Sequence, residues 1–148
     1  RQLAETVKAA GLEIDVELTA AAALLHDVAR MQANHAVAGA RLLEFHGFNR
    51  LAPIVAAHMD LAVDPGAPLD ETQIVYLADK LVIGDRCADL EQRFDRKMQI
   101  HGSDHRAAQA IARKRENARR VQAKIERITG FALAALVGLS AGPDGETR

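Results

Sequence analysis

Five side chains of metal-ligand type fall on helical faces that are otherwise apolar. Three are histidines and two are aspartates, and they occupy four predicted helices: His26, Asp27, His35, His58 and Asp79. Burial of an imidazole or a carboxylate is costly unless a partner satisfies it. Neutral imidazole and carboxylate are ligands of borderline and hard divalent ions. One shared ion would therefore satisfy all five, and the absence of a thiolate from the set argues against a structural zinc site.

Helical periodicity is the reason for expecting these residues to point inward. The segment 16–28 is apolar nearly all round apart from His26-Asp27 near its end. One turn away from the others lie apolar residues: Val75, Val82 and Ile83 for Asp79, Ile54 and Val55 for His58, and Ala38 for His35, with Leu42 one turn further along the same stripe. Each residue alone has an ordinary alternative, such as a buried His donating to a carbonyl, or Asp79 paired with Arg86 or Lys80. The five together favour a metal site.

The elements that must position this set are helices. The chain has 148 residues, enough for one domain, with 49% apolar and only 3% aromatic residues. Such a core is built from Ala, Leu, Val and Ile, and patterns of period 3.6 dominate, so we predict an all-α bundle of about seven helices. We expect a domain over residues 1–139 and a flexible tail over 140–148. One cysteine and no membrane-length apolar run or signal peptide indicate a cytoplasmic protein without a membrane partner.

Cap and breaker residues set the predicted helix bounds. The predicted N-caps are Asp15, Asn34, Asn49, Asp70 (in a capping box with Gln73) and Ser103. Gly11, Gly47, Gly84 and Gly130 end or interrupt helices. The first predicted helix ends near residue 10. The following helices span about 16–31, 35–46, 50–59, 71–83, 88–100, 104–129 and 131–139, and a loop is predicted at 62–69. The second of these has no polar face, which predicts a place in the middle of the domain.

Charge is unevenly distributed along a chain whose net charge is −1. Residues 1–104 hold 10 Lys and Arg against 16 Asp and Glu, whereas residues 105–127 hold 8 against 2. The basic residues of the long helix include Arg113, Lys114, Arg115, Arg119, Arg120, Lys124 and Arg127. This face is either solvated or docked on the acidic region, a partner domain or a second copy. Without interleaved aromatics or a known motif, nucleic-acid binding is disfavoured.

Four segments in a fixed order carry a family resemblance: AAALLHDVAR, HAVAGARLL, IVAAHMD and IVYLADKL. Over roughly residues 1–100, the chain resembles the HD-domain superfamily of metal-dependent phosphohydrolases, an all-α fold. The resemblance implies that His26 and Asp27 are the HD pair and Asp79 the later aspartate, which together hold a catalytic metal. It implies that His35 and His58 bind a second metal or, with only one metal present, orient the phosphate.

The resemblance also assigns roles to charged neighbours. Arg30, Lys80 and Arg86 are expected to contact substrate phosphate, with surface ion pairing to Asp60, Asp85 or Asp89 as the alternative. Asp60 is expected to orient an imidazole. The family's first His ligand would lie before Arg1, since residues 1–25 contain no His. The start in mid-helix predicts a fragment, and HMDL…ETQIVYLADKLVIGDR…RF resembles HD domains fused behind a molybdenum-cofactor-type nucleotidyltransferase.

The implied function is hydrolysis of a nucleotide or a related phosphate ester by a metal-activated water. The alternative is a catalytically inactive HD module that binds a nucleotide or regulates an attached enzyme domain. The expected cofactor is a divalent ion, with Mn, Fe, Mg, Zn, Ni and Co not distinguished and with room for two ions. The expected partner is a phosphorylated small molecule, and a linked N-terminal domain or a homo-oligomer is compatible with the sequence.

Overall fold

The computed structural model describes residues 1–84 and 86–138. Within these ranges it contains helices and one two-stranded antiparallel hairpin, which confirms the predicted all-α class. The elements are α1 (Gln2–Ala9), α2 (Val16–Leu25), α3 (His35–Phe45), α4 (Ala52–Ala57), α5 (Glu71–Lys80), β1 (Val82–Ile83), β2 (Arg86–Cys87), α6 (Leu90–His101), α7 (His105–Thr129) and α8 (Leu133–Leu136). None of the helices in the described ranges is long and apolar enough to cross a lipid bilayer.

The central helix is α5, and the prediction that residues 16–31 would form the middle of the domain is wrong. Six of the ten residues of α5 are buried, and it packs against α1, α2, α4 and α7. In α2 only Thr19 and Ala22 are buried, and Leu24 is 85% exposed. The sequence of a helix without a polar face does not show which side is buried. The apolar composition of α2 therefore led us to expect more burial than the structure shows.

The predicted second helix ends six residues early. After Leu25 the chain continues in tight turns, with i to i+3 hydrogen bonds from Val28 to Leu25 and from Arg30 to Asp27. Asn34 is the N-cap residue of α3, as predicted, but it lies in the left-handed region with φ 53° and makes no side-chain cap hydrogen bond. The HD dipeptide therefore lies in a turn that connects α2 to α3.

Two other predicted N-caps are confirmed, but the predicted capping box is wrong. Asp15 and Asp70 accept hydrogen bonds from the amides of Leu18 and Gln73, as predicted. The Gln73 side chain donates to the Pro68 carbonyl, so it does not complete a capping box. These two caps begin α2 and α5, the helices that lead to His26-Asp27 and carry Asp79.

Two further predicted caps are displaced. Asn49 is not the cap of α4, because Leu51 precedes that helix and makes no side-chain cap bond. Asp104, not Ser103, caps α7 by accepting from the amide of Ala107. Gly130 ends α7 in the left-handed conformation with φ 74°, as predicted.

The hairpin β1–β2 was not predicted. Val82 pairs with Cys87 and Ile83 with Arg86 around Gly84, whose φ is 63°. The helix predicted over 71–83 consequently ends at Lys80, and the one predicted over 131–139 is the shorter α8. The predicted tail 140–148, Leu139 and the suggested ion-pair partner Asp85 lie outside the described residues.

The basic side chains of α7 dock on the acidic region, one of the predicted alternatives. Arg113 donates to Asp60 at 2.6 Å, and Arg115 pairs with both Glu91 and Asp95 on α6. Lys124 is buried and donates to the carbonyls of Asp64 and Ala67 and to the Gln73 side chain. These bonds clamp α7 onto α6 and the 62–69 loop, and they hold one side of the cleft described next.

Candidate metal centre

All five predicted ligand residues meet in one place. His26 and Asp27 follow the last residue of α2, and His35 opens α3. His58 directly follows α4, and Asp79 lies in the last turn of α5. The side chains of His26, Asp27, His35 and Asp79 line a cleft of about 880 Å³, and His58 lies behind them at 1% exposure.

Asp27 lies between two groups of ligand atoms. Its Oδ1 is 3.2 Å from Nε2 of His35 and 3.7 Å from Nε2 of His58. Its Oδ2 is 3.6 Å from Nε2 of His26, whose Nε2 is also 3.7 Å from Oδ1 of Asp79. The geometry thus forms two adjacent groups that share Asp27, one with His26 and Asp79 and one with His35 and His58.

Backbone carbonyls fix the tautomer of two of the three imidazoles. Nδ1 of His26 lies 2.7 Å from the Ala23 carbonyl, and Nδ1 of His58 lies 2.6 Å from the Val55 carbonyl. Because a carbonyl oxygen only accepts, both Nδ1 atoms must carry a proton, so in the neutral imidazole it is Nε2 that has the lone pair. Both lone pairs belong to the Nε2 atoms that face Asp27.

The expectation that Asp60 orients an imidazole is wrong. Its carboxylate pairs with Arg113 instead, and the orienting partners of His26 and His58 are main-chain oxygens from their own turns. An i−3 carbonyl is available to any side chain at a helix end, so no distant carboxylate is needed.

The donor set fits a divalent ion. His26, Asp27 and His58 have ligand atoms that all lie within 4.8 Å of one another. Nε2 of His35 and Nε2 of His58 are 3.2 Å apart. Two ligands bound at about 2.0–2.2 Å to one ion at ordinary bond angles lie a little over 3 Å apart. Nitrogen and oxygen donors in this mixture suit several first-row ions as well as Mg²⁺, so the set does not select among the expected metals.

Comparison with known proteins identifies the family of the chain. The family model for the HD domain matches residues 1–83. The chain belongs to the HD domain family. An uncharacterized protein of Methanocaldococcus jannaschii is 30% identical over a 130-residue alignment that covers 74% of this chain and 75% of that protein.

A second relative of this HD domain is part of a larger protein. A tRNA (cytidine(56)-2'-O)-methyltransferase of Thermoplasma volcanium is 38% identical over a 98-residue alignment, which covers 55% of this chain and 29% of that enzyme. The chain therefore spans less than a third of the methyltransferase. No solved structure gives a significant match.

Lys80 supplies the charge balance in the HD domain's centre. Lys80 is only 4% exposed. Its ammonium donates to Oδ2 of Asp79 at 2.9 Å and to the carbonyl of His58, and it lies 4.0 Å from the centre of the Tyr76 ring. Burial lowers the pKa of Lys80, while Asp79 acts against that shift. Burial acts to raise the pKa of Asp79, but the Lys80 ammonium together with Arg93 holds that pKa below its usual range.

Burial also keeps the innermost imidazole neutral. It lowers the pKa of His58, and the Lys80 ammonium acts in the same direction, whereas the Val55 carbonyl and Asp79 act against the shift. The His58 ring touches both other imidazoles, with ring centres 5.0 Å from His26 and 5.2 Å from His35. A neutral imidazole is the form that binds a metal.

The three predicted phosphate contacts lie in different settings. Lys80 lines the cleft but is engaged with Asp79 and His58. Arg30 lies at the cleft with a 77% exposed side chain and donates to Oδ2 of Asp27 at 2.9 Å. Arg86 lies on the exposed strand β2, and it is not among the described residues that line the cleft.

Four basic residues of the cleft were missed from the sequence. Arg93, Arg96 and Lys97 of α6 and Lys114 of α7 line it. Their signal was the i, i+3, i+4 spacing on α6, which places three cations on one helix face. That spacing is also typical of a solvated helix, and nothing in the sequence shows which face of α6 meets the HD residues.

Proposed function

We propose that this HD domain is a metal-dependent phosphohydrolase that hydrolyses a phosphate ester of a small molecule, such as a nucleotide. The observation that carries the proposal is the convergence of three imidazole Nε2 atoms and two carboxylates from four parts of the chain on one cleft. A purely structural histidine cluster has no need of two fixed Nε2 lone pairs directed at the same carboxylate.

In this proposal the two groups of ligand atoms hold two ions. His26, Asp27 and Asp79 hold the first, and His35 and His58 hold the second with Asp27 shared. A divalent ion bound there supplies a Lewis acid for phosphoryl oxygens and lowers the pKa of water toward neutrality. The domain itself contributes orientation, charge and a cleft large enough for an organic phosphate.

Lys80 acts in the proposal as a positioning residue. Its ammonium ties Oδ2 of Asp79 and the main chain at His58 together, so it fixes ligands from both groups. Because Oδ2 of Asp79 is engaged, Oδ1 remains directed toward His26.

Arg30 is the proposed phosphate contact nearest the metal ligands. One guanidinium nitrogen holds Asp27, and a guanidinium has five N–H donors, so others remain for phosphate oxygens. Contacts from Lys80 and Arg86 to phosphate stay predictions.

The test is phosphate release by metal-depleted domain supplied with Mn²⁺, Mg²⁺, Zn²⁺, Fe²⁺, Co²⁺ or Ni²⁺ in turn. Substrates are p-nitrophenyl phosphate and nucleoside mono-, di- and triphosphates. We expect turnover with at least one ion, and a loss of at least about 100-fold in His26→Ala. His46→Ala is the matched control, since His46 is exposed at the end of α3 and should keep the wild-type rate.

Two outcomes would overturn the proposal. Undiminished turnover in His26→Ala would place the chemistry elsewhere. Metal binding and nucleotide binding without hydrolysis, whichever ion is supplied, would instead make this a non-catalytic HD module.

A further inference from the structure

The cleft has a second chemical feature besides its metal ligands. We call the four side chains Arg93, Arg96, Lys97 and Lys114 the basic wall. Three of them lie on one face of α6, and Lys114 joins them from the adjacent α7. The wall and the ligand cluster line the same cleft of about 880 Å³.

The basic wall differs from other basic residues in and near the cleft, because those residues are paired with carboxylates. Within the cleft, Arg30 pairs with Asp27 and Lys80 pairs with Asp79. On the outer side of α7, Arg115 pairs with Glu91. Each of these three cations is therefore matched by a carboxylate.

No member of the basic wall forms an ion pair with a carboxylate of residues 1–84 or 86–138. Arg93 donates one guanidinium nitrogen to the carbonyls of Asp79 and Val82, which anchors it without neutralising it. Lys97 lies 5.9 Å from the centre of the Phe94 ring. The wall thus holds four formal positive charges toward one cleft.

Mutual repulsion among these cations is visible in their electrostatics. Desolvation lowers the pKa of Lys97, and the charges of Arg93 and Lys114 lower it further, while Asp79 across the cleft acts against the shift. A cluster of like charges concentrates counter-ions of the opposite sign at its side of the cleft. A bound polyanion would remove this repulsion.

The volume of the cleft indicates the size of the anion that it can hold. Its volume falls at the upper end of the roughly 300–1,000 Å³ range of ligand pockets, well beyond what one phosphate group fills. A single phosphate at the ligand cluster would leave the basic wall without a counter-ion. Arginine forks match phosphate oxygens bidentately, so Arg93 and Arg96 suit a second phosphate group.

We propose that the basic wall binds a further phosphate of the substrate, so that the substrate carries a chain of two or more phosphates, as a nucleoside di- or triphosphate does. The proposal rests on the proposed function for the place of the first phosphate at the metal ligands. Binding of polyphosphate by the wall itself can be measured without any turnover.

The experiment is calorimetric titration of metal-depleted domain with inorganic tripolyphosphate and, separately, with orthophosphate. Metal depletion prevents chelation by tripolyphosphate from contributing to the signal. We expect tripolyphosphate to bind at least about tenfold more tightly than orthophosphate, since each added charge-assisted contact is worth about that factor.

The deciding variant is R96A/K97A, with R41A/R106A as a control that removes equal charge. Arg41 and Arg106 are exposed on α3 and α7 and are not among the residues that line the cleft. We expect R96A/K97A to lose the preference for tripolyphosphate and R41A/R106A to keep it. An equal preference in both variants, or none in the wild type, overturns the inference.

Kinetics separate this inference from the proposed function. If the domain hydrolyses phosphate esters, R96A/K97A should raise KM for a nucleoside triphosphate far more than for the monophosphate, with kcat little changed. Turnover with equal KM effects on both substrates would sustain the hydrolase and refute the role of the wall. Selective tripolyphosphate binding without turnover would sustain the wall and refute the hydrolase.

Discussion

Replacement of Lys80 by methionine tests how the centre is held together. Methionine keeps the apolar length of the side chain but removes the ammonium that joins Asp79 to the main chain at His58. Asp79 then keeps the effect of burial without its main counter-charge, so its pKa should rise. The variant should therefore be less stable in the metal-free state.

The expected loss of stability follows from two contacts. A charge-assisted hydrogen bond to the His58 carbonyl is worth about 1.5–3 kcal/mol. The pair with Asp79 adds up to about 1 kcal/mol, because the Asp79 side chain keeps 22% exposure and is partly solvated. Better burial of the methionine offsets part of this, so we expect a net loss of about 2 kcal/mol in the free energy of unfolding.

The assay is urea unfolding of the metal-depleted domain at pH 7, followed by circular dichroism and supported by thermal melts. A loss of about 2 kcal/mol lowers Tm by about 4–8 °C in a domain of this size. Lys8→Met is the control, since Lys8 is exposed in the last turn of α1 and has no ion pair in the described ranges, and it should shift stability by no more than about 0.5 kcal/mol. Equal stability of Lys80→Met and wild type would refute the reasoning.

Two further predictions concern the frame around the site. Arg119 and Arg115 lower the pKa of Glu91 to about 2, so the stability from these pairs is full above the unfolded pKa and is lost as pH falls from about 5 toward 2. Glu91→Gln should flatten that part of a stability-versus-pH curve by no more than about 1 kcal/mol, since these groups are partly exposed; an unchanged slope would contradict the assignment. Asp104→Ala should cost about 1 kcal/mol by removing the cap of α7, whereas Ser103→Ala should change little. Equal losses in urea unfolding would show that the cap is misassigned.

The metal-ligand cluster was predictable because its residues break a local rule. His58 and Asp79 are polar residues on helical faces whose other members are apolar, and that conflict can be read from the amino-acid sequence alone. The neighbours that satisfy them were not predictable in the same way. The Val55 carbonyl that fixes the His58 tautomer carries no side-chain signal.

Other features depend on choices that sequence leaves open. Ser103 and Asp104 are both good N-caps one residue apart, and only the actual start of α7 decides between them. Two-residue strands such as β1 are too short to show a period of 2, so the hairpin around Gly84 had no pattern to reveal it.

Which side of a helix faces the site is a tertiary property. The face of α6 with Arg96 and Lys97 has the composition of a solvated surface, and it lines the cleft only because α7 is clamped beside it through Arg115. The prediction that α2 lies in the middle of the domain failed for a related reason. Because α2 is apolar on all sides, its sequence does not show which side is buried.

The most direct test of the central claim is anomalous scattering from crystals of the domain grown with Mn²⁺. The account predicts a peak within bonding distance of Nε2 of His26 and of the carboxylates of Asp27 and Asp79, and a second beside His35 and His58. An absence of peaks in the cleft, at Mn²⁺ concentrations that saturate any binding seen in solution, would contradict it.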